Sequence, residues 1–127
     1  MAEMEIKLKV WLEKKGEVVA GEGKIRLLQL INRHGSIQKA AQENGMSYRH
    51  AWGAIRKIEM RSGLKLVETQ TGGLVGGGAW LTPSGKEFVA RYARFSQGLE
   101  EIIRKKFQEA FHEQKMTSEG KKLKADR

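Results

Sequence analysis

An α+β fold, mostly α, is predicted by three features of this 127-residue sequence. Apolar and polar residues alternate near the N-terminus, the period-two pattern of a half-buried strand. Two short stretches with helical spacing meet at Asn44-Gly45, a tight-turn pair, and two short strand-like runs follow around a glycine-rich loop. Thr82-Pro83 then opens a helix start of the strongest kind, a hydroxyl cap followed by proline, and only Gly98 interrupts the helical spacing beyond it.

Each element has its own warrant. Over 5–12, Ile6, Leu8, Val10 and Leu12 fall on one face of a strand, with Lys7, Lys9 and Trp11 on the other. Residues 13–16 are a turn, 17–20 return as a second strand, and Gly21-Glu22-Gly23 ends it. Residues 24–32 gather Ile25, Leu27, Leu28, Leu30 and Ile31 on one broad helical face, closed by Gly35 as a left-handed cap. Ser36 caps a second, short helix to 43, with Ile37, Ala40 and Ala41 inward. After Gly45 and the apolar plug Met46, Ser47 caps a third helix over 47–61, whose inward set is Ala51, Trp52, Ile55 and Ile58. Ser62-Gly63 stops it. Strands at 65–68 and 79–81 flank a loop at 69–78. The last helix runs to about residue 112 and, at 1.5 Å per residue, reaches roughly 45 Å.

Strand, strand, three helices, strand, strand and a long helix spell a winged helix-turn-helix with an N-terminal β-hairpin and a long C-terminal dimerisation helix. Small residues at Ala40 and Ala41 let the second and third helices cross closely, and Gly45 supplies the turn between them. The expected division is a DNA-binding domain over 1–82, a dimerisation helix over 83–113, and a basic flexible tail over 114–127.

Composition points the same way. Lys plus Arg number 24 against 15 acids, a net charge of +9, which draws polyanions. There is no cysteine, which excludes disulfides and thiolate chemistry and fits a reducing compartment. No apolar run approaches the roughly 20 residues of a membrane span, and the first ten residues lack a signal-peptide core, so no membrane association and a cytoplasmic location are expected.

The third helix carries the functional signal. With its apolar residues inward, the opposite face shows Arg49, His50, Gly53, Arg56 and Lys57. Ser47 and Tyr48 stand at its N-terminus, where backbone N–H groups and the helix dipole favour phosphate, and Ser36, the cap of the helix before it, is counted with the DNA-binding residues. Gly53 leaves room for a backbone or base edge. Arg49 suits bidentate reading of guanine in a major groove, whereas Arg56 and Lys57 suit phosphate, which positions without selecting sequence. Thr71, Gly72 and Gly73 would bring wing-tip amides to the backbone. The loop at 71–79 is no nucleotide-binding P-loop: it lacks the Gly-Lys-Ser/Thr ending and precedes a strand.

The long helix has a seam. Phe88, Tyr92, Phe95, Leu99 and Ile102 alternate four- and three-residue spacings, and Leu99, Ile103 and Phe107 continue it, which is heptad patterning. A second copy of the chain is the simplest cover for this face, and a homodimer would set two third helices on two half-sites of double-stranded DNA. His34, His50 and His112 show no ligand spacing, and no nucleophile–base–orienter pattern occurs, so no metal, no cofactor and no catalytic residue is expected.

Residues 35–85 resemble the N-terminal DNA-binding domain of the ModE-type molybdate-responsive regulators, itself similar to LysR-type winged helices. The resemblance rests on Gly35-Ser36-Ile37, Ala40-Ala41, Gly45-Met46-Ser47-Tyr48-Arg49, Ala51-Trp52, Thr71-Gly72-Gly73, Gly76-Gly77-Gly78-Ala79, and Leu81-Thr82 with Gly85. It extends more loosely over about residues 5–112, through Trp11 and Gly21-Glu22-Gly23-Lys24. It implies a homodimeric transcription regulator that inserts the Tyr48-bearing helix into the major groove of an operator. Three departures stand out. Leu74 occupies the place of a basic wing residue, with Val75 next, and Thr69 stands where the family carries Arg. The family's C-terminal oxyanion-binding domains have no counterpart, so no molybdate site is expected in this chain. Two alternatives stay open: a winged-helix protein-interaction module using Leu74, Val75 and the long helix, and a non-specific architectural DNA-binding protein.

Overall fold

A computed structural model describes residues 4–70 and 78–112. Two strands, β1 (Trp11–Lys14) and β2 (Glu17–Gly21), precede the helices α1 (Glu22–His34), α2 (Ile37–Glu43) and α3 (Tyr48–Ser62). Strands β3 (Val67–Gln70) and β4 (Gly78–Leu81) and the long helix α4 (Pro83–Phe111) complete the order. Residues 9–93 make one compact unit; residues 4–8 and 94–112 are the described parts of a second.

The N-terminal strand is shorter than its alternation predicts. Residues 4–10 carry no regular element, and Ile6 and Leu8 are exposed. Alternation makes a strand only where a partner supplies hydrogen bonds. Here β2 gives way to α1 at Glu22, so pairing stops at Trp11 opposite Gly21. The hairpin turns at Lys15-Gly16, both with positive φ (53° and 82°), the two-residue turn whose twist matches paired strands. Leu12 pairs with Ala20 and Glu13 with Val18, so Val19 is an extra residue in β2. In a regular strand neighbours point to opposite faces; this bulge lets Val19 and Ala20 both enter the core.

Helix α1 starts two residues earlier than its apolar spacing predicts, directly from the strand. Its C-cap Gly35 has φ 66°, and the Gly35 N–H donates to the Ile31 carbonyl at 2.8 Å. The Gly35 carbonyl in turn accepts from Ala79 N–H at 3.0 Å, which stitches the α1–α2 turn to β4. Leu27, Leu28, Ile31, Ile55, Ile58 and Leu66 are the largest fully buried side chains, so α1, α3 and the approach to β3 share one core.

Strands β3 and β4 pair antiparallel, Val67 opposite Leu81 and Gln70 opposite Gly78. β3 begins two residues later than predicted because the chain entering it is tied down by other groups. One Glu59 carboxylate oxygen accepts from Leu66 N–H (2.9 Å) and Val67 N–H (3.1 Å). Thr82 then splices three segments: its N–H donates to the Leu66 carbonyl (2.9 Å), its hydroxyl donates to the Lys65 carbonyl (2.6 Å), and its oxygen accepts from Gly85 N–H (2.9 Å). The first turn of α4 lies so close to this strand that a Cβ at Gly85 would run into the Leu66 carbonyl.

The predicted seam of α4 divides. Tyr92 is buried in its own chain's core, its hydroxyl donating to the Val10 carbonyl at 3.3 Å, and Phe88 packs against the same core. These two pack within their own chain. Phe95 and Ile102, by contrast, are 52% and 56% exposed, with Leu99, Ile103 and Phe107 half-buried. The Phe107 and Phe111 rings meet at 5.2 Å, tilted by 37°. Gly98 does not break the helix. The tail over 114–127 lies outside the described residues.

Candidate nucleic-acid interface

The turn that aims α3 is specified by sequence. Gly45, at φ +71°, follows the α2 C-cap Asn44, and its N–H donates to the Gln42 carbonyl while Met46 N–H donates to that of Ala41 (3.1 and 2.9 Å). This nested pair of bonds closes a helix C-terminus through a left-handed glycine. Ala40, Ala41 and Ala51 are buried almost completely, so α2 and α3 cross with little side-chain bulk between them. The Ser47 hydroxyl accepts from His50 N–H at 3.0 Å and starts α3. Ser36 does the same for α2, accepting from Lys39 N–H at 3.1 Å.

Packing then divides the faces of α3. Ala51, Ala54, Ile55 and Ile58 are buried. Tyr48, Arg49, His50, Gly53, Arg56 and Lys57 are exposed, as the spacing predicts. Among the described residues, the side chains of Arg49, Arg56 and Lys57 make no hydrogen bond or ion pair. A Cβ at Gly53 would meet nothing within 4 Å, so nothing inside the fold calls for glycine there.

Trp52 departs from the sequence reading, which sets it in the core. It is half-buried, touching the core at one side. The Arg56 guanidinium carbon lies 5.5 Å from its ring centroid, and the Tyr48 ring meets it edge-on at 6.4 Å and 81°.

A cleft of about 260 Å³ brings Ser36, Gln38, Tyr48 and Trp52 together with Thr69 and Gln70 at the base of the wing. Gln38 and Gln70 have no signal in a one-dimensional reading, and Thr69 enters it only as a departure from the family's Arg, because only the fold sets the end of β3 beside the start of α3. Thr71, Gly72 and Gly73, predicted wing contacts, lie outside the described residues, as do Leu74 and Val75.

The cationic surface also extends beyond α3. Burial, and then the charges of Arg61 and Lys57, hold the Lys24 ammonium below the usual lysine range. Lys24 sits in the first turn of α1, so helix periodicity could not have joined it to Lys57. Arg61 is partly committed to the fold, donating to the Val18 carbonyl at 2.5 Å and lying 3.8 Å from Glu17.

Elsewhere the chemistry is sparse. Among the described residues no group of three or more His, Asp or Glu side chains is arranged to hold a metal ion. His34 instead pairs with Glu43 at 2.6 Å. No helix among the described residues is long and apolar enough to cross a membrane.

A three-helix unit with a two-stranded wing and an outward basic third helix defines the winged helix-turn-helix class. The chain belongs to the bacterial regulatory helix-turn-helix proteins of the lysR family, whose family model matches residues 23–86. It is 36% identical over 94 residues to the molybdenum-pterin-binding protein MopB of Rhodobacter capsulatus, covering 74% of this chain and 34% of that protein. The transcriptional dual regulator ModE of Escherichia coli K12 is likewise 36% identical over 94 residues, 74% of this chain and 36% of ModE. The molybdenum transport protein ModE of Azotobacter vinelandii is 44% identical over 69 residues, 54% of this chain and 26% of that one. The chain thus matches about a third or less of each relative's length. Among solved structures, Vibrio fischeri DarR in complex with DNA superposes with a TM-score of 0.54 at 21% identity, over 70% of this chain and 29% of DarR. That likeness supports the α+β winged-helix fold.

Proposed function

We propose that this chain is a sequence-specific, DNA-binding transcription regulator that acts as a homodimer, with α3 in the major groove of operator DNA. One observation carries the reading: α3 presents Arg49, Arg56 and Lys57 to solvent with no hydrogen bond or ion pair among the described residues, beside a glycine that the fold does not require. Exposed cations with open backbone between them suit a polyanion with grooves. Membership of a helix-turn-helix regulator family and similarity to ModE support it. The same reading makes the chain a non-enzymatic, cytoplasmic protein. Two relatives carry molybdenum in their names, but DNA recognition, not oxyanion sensing, is the activity proposed for the shared third.

The proposed dimer contact is the exposed stretch of α4 from Phe95 through Leu99, Ile102, Ile103 and Phe107. Wing contacts from Thr71, Gly72 and Gly73 complete the proposed DNA surface, together with Ser36 and the N-terminus of α3.

The test is selection of genomic DNA fragments by the purified protein, with sequencing, at two salt concentrations. A palindromic motif with half-sites about one helical turn apart, or a multiple, is the expected result. Salt-sensitive binding without a motif would instead define an architectural protein. Absence of binding even at low salt would overturn the DNA reading and favour a protein-interaction module.

A further inference from the structure

We propose that Trp52 is a positioning residue for DNA binding: its ring holds the Arg56 guanidinium in the arrangement that meets the DNA backbone. The proposal rests on the DNA reading above and adds to it a residue whose spacing alone assigns it to the core.

Tyr48, Trp52 and Arg56 are spaced one helical turn apart on α3, and each touches the next. Trp52 packs one side on the core and keeps part of its ring exposed, so core packing limits the ring's freedom at the surface. Tyr48 meets the Trp52 ring in an edge arrangement. Arg56 lies over the Trp52 ring, and among the described residues this is its sole partner. A guanidinium stacks well on an indole because it is planar and weakly hydrated, and stacking leaves its N–H groups free in their own plane for phosphate oxygens. An unsupported arginine gives up rotamer freedom on binding; one already held over a ring gives up less. Lys57, the next residue, stacks on no ring among the described residues and supplies an internal contrast.

The experiment measures affinity of the full chain for a mixed-sequence B-form duplex across a salt series. Wild-type binding must fall steeply with salt; if it does not, the DNA reading itself fails, whatever Trp52 does. Given that, Trp52→Leu is expected to weaken binding about two- to five-fold, the worth of an exposed cation–π contact. Trp52→Phe should recover most of the loss. In an Arg56→Ala background, Trp52→Leu should cost nothing further, a result that a merely structural tryptophan would not give. Arg56→Lys, an exposed change that keeps the charge and the fold, should lose about as much as Trp52→Leu. Unchanged affinity in Arg56→Lys, or an equal effect of Trp52→Leu with and without Arg56, would overturn the proposal. Should Trp52→Leu fail to fold, the Arg56→Lys arm still decides.

Discussion

Replacing Gly53 by alanine separates what the fold needs from what a ligand needs. Gly53 lies inside a 15-residue helix, is exposed, and has open space where a Cβ would stand. Its φ is not in the left-handed region, so alanine fits the backbone without strain. Glycine in an exposed helix interior is less favourable than alanine by about 0.8–1.0 kcal/mol. No contact offsets this, so Gly53→Ala should stabilise the protein by nearly that amount and raise Tm by a few degrees. The same methyl would stand between Arg49 and Arg56 on the face proposed to enter the groove. Close approach of a base edge or sugar would then be blocked, and affinity for the selected operator should fall at least about tenfold, or 1.4 kcal/mol. Thermal melting by circular dichroism and a DNA titration on the same preparation read both effects. A variant that is stabilised and still binds normally would remove Gly53 from the interface. A destabilised variant would show that the glycine serves the fold and refute the reasoning from open space.

Three other outcomes follow from the geometry. Glu59→Ala should cost about 2 kcal/mol or more in urea unfolding, since it strips the acceptor from the N–H groups of Leu66 and Val67; Glu59→Gln, which keeps an oxygen, should cost less. Gly85→Ala should destabilise by about 1–3 kcal/mol, because the Leu66 carbonyl it meets is backbone and gives way poorly; an unchanged denaturation midpoint would show that α4 can shift freely. Ile102→Glu should leave the melting of the monomeric unit nearly unchanged while shifting sedimentation from dimer to monomer, and a dimer that survives would move the contact elsewhere on the chain.

The legible parts of this protein were those written in local chemistry. Ser36, Ser47 and Thr82 act as the caps their positions announced, and Gly35, Gly45 and Gly63 close helices in the left-handed conformation. The basic face of α3 follows from periodicity alone. What escaped depends on partners distant in sequence. Ile6 and Leu8 alternate like a strand but pair with no strand among the described residues. Glu59, an ordinary charged position on a helix, bonds the chain seven and eight residues on. Trp52 reads as core because it is apolar and in register, yet half of it serves Arg56. Tyr92 fits a heptad seam and also fits its own chain's core; spacing cannot choose between two apolar destinations.

The bond from Ala79 to the Gly35 carbonyl has a consequence for how such a protein diversifies. It clamps β4 to the corner that also launches α2, while Thr82, at the end of the same strand, ties it to the chain before β3. A change in β4 therefore has to satisfy two distant anchors at once, so this four-residue strand has less freedom to vary than its length suggests.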